Sequence, residues 1–190
     1  LDPAPVRAAL QAAFADWRTG ASYARVPEPF VAPVPQRLVL ATPDKQNATL
    51  LVRLPLPVSD RDADYAALMM ANYLLGNGGN SRLWLRIREK DGLSYDVRST
   101  IGWDAYGTNS WWIASAIFAP ANRAKVEVAF KEELERALKD GFTAKELEEG
   151  KQGLLNFRNL SRAQDRNVAG AWVRNLDLGR TFAFSATVDA

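Results

Sequence analysis

The chain has 190 residues, of which 47% are apolar and 24% are charged, a balance that is ordinary for one globular domain. Its 24 lysines and arginines against 22 aspartates and glutamates leave a formal charge of +2 without the basic block that follows a nucleic-acid backbone, so we expect no nucleic-acid partner. No apolar run approaches the roughly 18 residues that suggest a membrane span. The lack of cysteine and histidine excludes disulfides and the usual thiolate and imidazole catalysts.

The N-terminal segment predicts a helix followed by an extended connector. PVRAALQAAFADW (5–17) places apolar residues at helical spacing, and residues 20–36 contain four prolines, which disfavour regular structure. We therefore predict two parts, a helix with a proline-rich connector over residues 1–35 and one domain over residues 36–190. Because the sequence starts at Leu1 without a methionine and ends without a cap or polar tail, we expect a fragment of a longer protein.

Two strand signals and a helix signal follow the connector. RLVLAT (37–42) and ATLLVRLPL (48–56) flank the turn-forming cluster PDKQN, which favours a β-hairpin. DADYAALMMANYLL (62–75) is rich in helix formers and nearly apolar along one side. We predict a helix there that lies on the sheet and ends at Gly76.

Two further strands are predicted at SYDVRSTIGW (94–103) and TNSWWIASAIFA (108–119). The second is apolar on both alternations, which is typical of a central strand covered on both sides. Aromatic side chains near these strands could line a chamber, although packing between strands and covering helices is the stronger expectation. They are Trp103, Tyr106, Trp111 and Trp112.

The last third of the chain predicts helices. Residues 122–140 form an amphipathic pattern that Gly141 ends, and TAKE (143–146) is a capping box that opens a helix reaching to about Leu176. The order of elements predicts an α+β fold, with a mostly antiparallel β-sheet packed against α-helices.

The glycine-rich stretch GNGGNS (76–81) joins two predicted helices. It lacks the lysine-serine pair of a phosphate-binding loop, and it follows a helix where a nucleotide-binding motif needs a strand. We therefore predict a helix-to-helix turn in which Asn80 or Ser81 is the N-cap.

Metal chemistry has little support in this chain. Without cysteine or histidine only carboxylates remain as common zinc ligands. Glu146, Glu148 and Glu149 suit a solvated first helical turn, where negative charge is favoured. We predict no metal site, and no catalysis by this chain alone.

Arg88 and Tyr95 are the remaining candidates for chemistry. Wound as a regular helix, residues 82–90 place Arg82 on the polar side and Arg88 at the edge of an apolar arc, from which its guanidinium can point into a cavity. Gly92 ends that helix and lets the chain return as a strand, which brings Tyr95 close. A cation beside a phenol suits a carbonyl or a developing oxyanion on a bound peptide. Two plainer interpretations stay open, namely a core position for Tyr95 and a surface carboxylate as the partner of Arg88.

The run LLGNGGNSRLWLRIREKDGLSYDV (74–97), followed by GFTAKELEEGKQGLL (141–155), resembles the second domain of the M16, or pitrilysin, family of zinc metallopeptidases. That family includes insulin-degrading enzyme, mitochondrial processing peptidase and the core subunits of the respiratory bc1 complex. The resemblance extends over about residues 36–176 and implies an M16 peptidase C-terminal-like domain over residues 36–190.

In that family an inverted zinc motif, His-x-x-Glu-His, lies in a different homologous domain, and the domains together enclose a peptide. An arginine and a tyrosine come from the domain across the chamber, at the spacing that Arg88 and Tyr95 match. The resemblance therefore implies that Arg88 holds a substrate carbonyl or carboxylate and that Tyr95 assists the tetrahedral intermediate. This chain would be the substrate-binding half of a zinc-dependent endopeptidase, with the zinc bound by another domain.

The implied partners are a peptide substrate and a homologous M16 domain, in the same chain or in a partner subunit. The resemblance favours the bacterial periplasm over the cytoplasm. Because the inverted zinc motif is missing here, one alternative is a non-catalytic M16-like partner or scaffold subunit that binds peptides or assembles a complex. A weaker alternative is an unrelated α+β domain whose arginine-to-tyrosine spacing is chance.

Overall fold

A computed structural model describes residues 2–190 as a helical layer packed on a small sheet. The elements in chain order are α1 (Pro3–Phe14), β1 (Ala48–Leu56), α2 (Tyr65–Asn72), a π-helical turn (Tyr73–Asn77), a π-helical segment (Trp84–Lys90), β2 (Ser94–Gly102), β3 (Ser110–Phe118), a 3₁₀ turn (Pro120–Asn122), α3 (Arg123–Asp140), α4 (Ala144–Arg162), α5 (Asp165–Asp177) and α6 (Ala183–Asp189). The helix predicted near the N-terminus is confirmed as α1.

The sheet has three antiparallel strands in the order β1-β3-β2. β3 is the centre, so that Ala114 lies opposite Val52 of β1 and Ser99 of β2. A β-bulge interrupts β2 between Ser94 and Asp96. The α+β class predicted from the sequence is confirmed.

One face of the sheet holds the core. Its buried apolar residues come from all layers, namely Leu75, Leu83, Ile87, Val97, Trp112, Ala114, Ala116, Phe118, Val126, Ala129 and Phe130. Asn72 pairs two polar groups at the edge of this core, because its Oδ1 accepts hydrogen bonds from Ser99 Oγ at 2.7 Å and from Trp112 Nε1 at 3.0 Å. Satisfied polar groups of this kind fix the register of helix against sheet.

The prediction that β3 is covered on both sides is wrong. The helices that supply the core all pack on the face that carries Trp112 and Ala114. The opposite face, here called the open face, keeps partly exposed side chains. Its members are Leu51, Arg53, Arg98, Thr100, Gly102, Trp111, Ile113, Ser115 and Ile117. The second set of apolar residues in β3 therefore belongs to a surface that residues 2–190 leave partly exposed.

The predicted hairpin of RLVLAT with ATLLVRLPL is also wrong. Only the second run becomes a strand, as β1, whereas Leu38 and Leu40 are 77% and 84% exposed. A groove of about 790 Å³ separates residues 36–40 from β1, so the two runs are too far apart to share ladder hydrogen bonds. As predicted for the connector, residues 20–36 contain no helix or strand.

Gly76 does not end the helix that precedes it. α2 begins at Tyr65 and continues into the π-helical turn, which ends at Asn77 before Gly78. A Cβ at Gly76 would lie 2.5 Å from Ser99 Oγ and 2.9 Å from Ser99 N. The glycine is needed for close approach of this turn to β2.

The helical boundaries after β3 are partly as predicted. α3 ends at Gly141, whose φ is 67°, and Thr143 and Glu146 form the predicted capping box. The single long helix predicted to about Leu176 is instead α4 and α5, with a break between Arg162 and Asp165. No helix among residues 2–190 is long and apolar enough to cross a membrane.

Candidate functional site

The glycine-rich loop leads into the helix that carries Arg88. Ser81 holds one of the two predicted N-cap positions, since its carbonyl accepts the helical hydrogen bond from Leu85 N at 2.9 Å. Its hydroxyl caps nothing, because the buried Ser81 Oγ has no hydrogen-bond partner among residues 2–190. The loop is held instead by other polar contacts, including a 3.3 Å hydrogen bond from Asn77 Nδ2 to the Ser99 carbonyl of β2.

The prediction that Arg82 lies on the polar side of a regular helix does not describe its environment. Only 7% of its side chain is exposed, and its guanidinium binds the Glu146 carboxylate through two hydrogen bonds, of 2.7 Å from Nε and 2.9 Å from Nη2. Nη2 also donates to the Gly141 carbonyl at 2.8 Å. Arg82 therefore ties the glycine-rich loop to the start of α4.

This ion pair corrects the prediction of a solvated Glu146. The hydrogen bond from Arg82 and those within the capping box at Thr143 outweigh partial burial and lower the pKa of Glu146 to about 2. Glu148 and Glu149 are exposed, as predicted.

The helix after the loop is wider than an α-helix. In the π-helical segment Trp84–Lys90, Asp91 N donates to the Arg86 carbonyl at 3.1 Å, a bond across five residues. Leu93 N then donates to the Ile87 carbonyl at 2.9 Å while Gly92 has a φ of 60°. The chain reverses within this turn and enters β2, as predicted for Gly92.

Arg88 and Tyr95 lie together, as the sequence predicts. Arg88 Nη1 donates a 2.7 Å hydrogen bond to the Tyr95 carbonyl, and the guanidinium lies 4.2 Å from the ring centroid of Trp84 and 5.5 Å from that of Tyr95. The nearest carboxylate is Glu89, 3.5 Å from Arg88 Nε and well exposed. Such an exposed pair is weak, so the ring and the carbonyl fix the guanidinium.

Tyr95 is a surface residue. It falls at the bulge in β2, and 80% of its surface is exposed although its neighbour Val97 is buried. The core interpretation of Tyr95 is therefore wrong. The phenol faces solvent, so any wall that encloses it has to come from outside residues 2–190.

Zinc does not fit the residues of this chain. Among residues 2–190 no group of three or more histidine, cysteine, aspartate or glutamate side chains is placed to hold a metal ion. A zinc ion of the usual tetrahedral kind needs such a group.

The four aromatic residues near the strands divide between two environments. Trp112 is buried in the core, as expected for a residue under the helices. Trp103, Tyr106 and Trp111 instead line a cavity of about 840 Å³ between the β2–β3 loop and α5. Trp111 reaches this cavity from the open face of the sheet, and residues of α5 line the same cavity.

The chain thus combines a three-stranded antiparallel sheet that has helices on one face with a glycine-rich loop that leads to an adjacent arginine and tyrosine. The family model described as the peptidase M16 inactive domain matches residues 1–154. The chain belongs to this family, so the resemblance seen in the sequence is confirmed. No curated protein gives a significant match.

Solved structures agree on the fold. The chain superposes over its whole length on a peptidase M16 inactive domain from Pseudomonas fluorescens, with a TM-score of 0.75 and 22% identity, and spans 44% of that chain. A protease from Helicobacter pylori gives a TM-score of 0.73 and 18% identity, with 100% of this chain and 46% of that one covered. The inactive peptidase domain of a candidate zinc protease from Bordetella parapertussis gives 0.59 and 19%, with 76% and 79% covered. The chain thus spans less than half of the first two proteins.

Proposed function

We propose that this chain is the substrate-binding half of a zinc-dependent M16 endopeptidase, and that a homologous domain holds the zinc and closes over the peptide. Family membership supports this proposal, together with the length of the matching proteins, which leaves room for a second domain. The partner domain belongs to the same polypeptide or to another subunit. On the family resemblance, the periplasm is the proposed compartment.

The arrangement of Arg88 and Tyr95 is the observation that carries the proposal. One guanidinium N–H is bound to the Tyr95 carbonyl, and Trp84 supports the guanidinium from one side. Because an arginine has five N–H donors, others stay available for a peptide carbonyl or carboxylate. The exposed Tyr95 hydroxyl supplies a neutral donor beside this cation.

Each group has a distinct role in the proposal. Arg88 binds and orients the peptide in the ground state, whereas Tyr95 donates to the oxygen that gains negative charge as the scissile carbonyl becomes tetrahedral. The zinc would be held by the homologous domain, since residues 2–190 contain no group of three or more side chains placed to hold a metal ion. The scaffold alternative shares the peptide-binding role of Arg88 but needs no role for Tyr95.

Replacing Arg88 by alanine in the full-length protein tests the binding role. We expect KM for an unfolded peptide to rise about tenfold, since a hydrogen bond to a charged group contributes about 1.5 to 3 kcal/mol. Arg166→Ala, which removes an exposed arginine of α5, is the matched control and should leave KM unchanged. Equal KM values for the Arg88→Ala variant and the wild type would refute the binding role. If the full-length protein does not bind added zinc, and binds the peptide without cleaving it, the result would favour the scaffold.

A further inference from the structure

The cavity of about 840 Å³ between the β2–β3 loop and α5 is separate from Arg88 and Tyr95. Three aromatic rings form much of its wall, namely Trp103, Tyr106 and Trp111. Glu28 of the connector and Asp177 of α5 add carboxylates, and Arg174 adds one cation. Aromatic faces beside carboxylates are the surface that binds organic cations.

The charge of the wall is negative. Glu28, Asp104 and Asp177 line the cavity together with the cation Arg174, and Arg25 adds a second cation beside Tyr106, so the carboxylates are still in excess. Burial opposes ionisation of Asp104, but hydrogen bonds from backbone N–H groups of the β2–β3 loop outweigh it and lower its pKa. Asp177 accepts the hydrogen bond of the Tyr106 hydroxyl, which fixes the ring against α5.

A cation of the chain already uses one side of this wall. The Arg25 guanidinium lies 3.4 Å from the centroid of the Tyr106 ring, next to the cavity. Arg25 is exposed and belongs to the extended connector, so stacking on the ring and attraction to the Asp104 carboxylate hold its guanidinium there. The same wall is therefore suited to a second guanidinium or ammonium group.

We propose that this cavity binds the basic side chain of a peptide, an arginine or a lysine. The rings of Trp103 and Trp111 would contact the side-chain stem and the cationic head, and the carboxylates of Glu28 and Asp177 would accept its hydrogen bonds. A neutral side chain of the same shape gains the apolar contacts but loses both electrostatic contributions.

The position of the cavity links it to the proposed site, and this step rests on the proposed function. Gly102 and Trp111 lie on the open face at one end of β2, whereas Tyr95 lies at the other end. Seven residues of a strand separate Tyr95 from Gly102, a distance of about 23 Å at roughly 3.3 Å per residue. A peptide extended along the open face would place a residue about seven positions from its scissile bond in the cavity.

The test compares two fluorescently labelled glycine-serine peptides that differ only at one central position, arginine or the neutral isostere citrulline. Fluorescence anisotropy gives Kd for each peptide with the 190-residue chain. We expect the arginine peptide to bind about tenfold more tightly, because a cation–π contact and a charged hydrogen bond are lost with citrulline. Equal Kd values for the two peptides would overturn the proposal.

Variants then locate the preference. Glu28→Gln combined with Asp177→Asn keeps the shape of the wall, and should reduce the arginine preference to about twofold or less. Glu148→Gln combined with Glu149→Gln removes two exposed charges from α4 and should leave the preference unchanged. A preference that survives the cavity variant, with an unchanged circular dichroism spectrum, would overturn the assignment. This test measures selectivity in binding, whereas the roles of Arg88 and Tyr95 are tested by turnover. The cavity proposal can therefore fail while those roles hold, and those roles can fail while the cavity proposal holds.

Discussion

At the scale of single residues, Glu146 has two functions and only one is visible in local sequence. The capping box follows from a threonine three residues before a glutamate, a pattern that the chain itself displays. The ion pair with Arg82 spans 64 positions, and it depends on how the glycine-rich loop packs against the start of α4. Periodicity within one helix carries no information about such a distant contact, so it predicted Arg82 on the polar side of the helix.

Replacing Glu146 by glutamine tests this ion pair. At pH 7 we expect the free energy of unfolding to fall by about 2 kcal/mol, a value already reduced for the partial exposure of the carboxylate. Urea unfolding of the wild type and the variant gives this difference. Glu149→Gln, on the same helix but exposed, is the control and should change the free energy by less than about 0.5 kcal/mol.

The pH dependence of the same pair has a defined sign. The pKa of Glu146 is about 2 in the folded chain and near 4.5 in the unfolded chain, so the unfolded state binds more protons between these values. Its stabilisation is complete above about pH 5 and is lost as the pH falls towards 2. The wild type should therefore lose stability more steeply than Glu146→Gln between pH 5 and pH 3. Parallel curves would contradict the ion pair.

At the scale of elements, the glycines divide into those that end helices and those that permit contact. Gly141 and Gly92 adopt positive φ where helices end, as their positions in the sequence predict. Gly76 adopts no such angle and lies inside a π-helical turn against Ser99 of β2. The prediction treated all three alike, because each glycine follows a run of helix-forming residues.

Gly76→Ala should destabilise the chain by about 1 to 2 kcal/mol. The added methyl group meets the backbone of Ser99, which cannot move aside cheaply, and the gain in helix propensity of alanine offsets only part of this cost. Gly79→Ala is the matched control, since a Cβ at Gly79 meets no atom within 4 Å. Thermal unfolding of both variants checks the prediction. A Gly76→Ala variant as stable as Gly79→Ala would show that the turn can retreat from β2.

The apolar pattern predicted three strands correctly and a fourth strand wrongly. β1, β2 and β3 all lie at the predicted runs, because their apolar alternation has a core face to fill. RLVLAT is similarly rich in apolar residues, yet pairing depends on a neighbour at the right distance, and residues 36–40 lie across a groove from β1.

The adjacency of Arg88 and Tyr95 was predictable because the intervening turn is short, whereas the solvent exposure of Tyr95 depends on a bulge that has no clear sequence signal.

At the scale of the whole molecule, several apolar surfaces lack a partner within residues 2–190. α1 has no buried residue, and its stripe of Val6, Leu10 and Phe14 is about half exposed at each position. The open face of the sheet also keeps apolar side chains partly exposed, namely Leu51, Trp111, Ile113 and Ile117. Under the proposed function these surfaces and Tyr95 face the second domain and the enclosed peptide, so the fold supplies one wall of a site and not the whole of it.

Peptide hydrolysis by the full-length protein carrying Tyr95→Phe tests the central claim most directly. The substitution removes one hydroxyl from an exposed ring, so it should leave the melting temperature unchanged and lower kcat about 100-fold, with little change in KM. Tyr23→Phe removes a hydroxyl from a tyrosine that is also 80% exposed, and should leave kcat unchanged. A kcat for Tyr95→Phe equal to that of Tyr23→Phe would contradict the account.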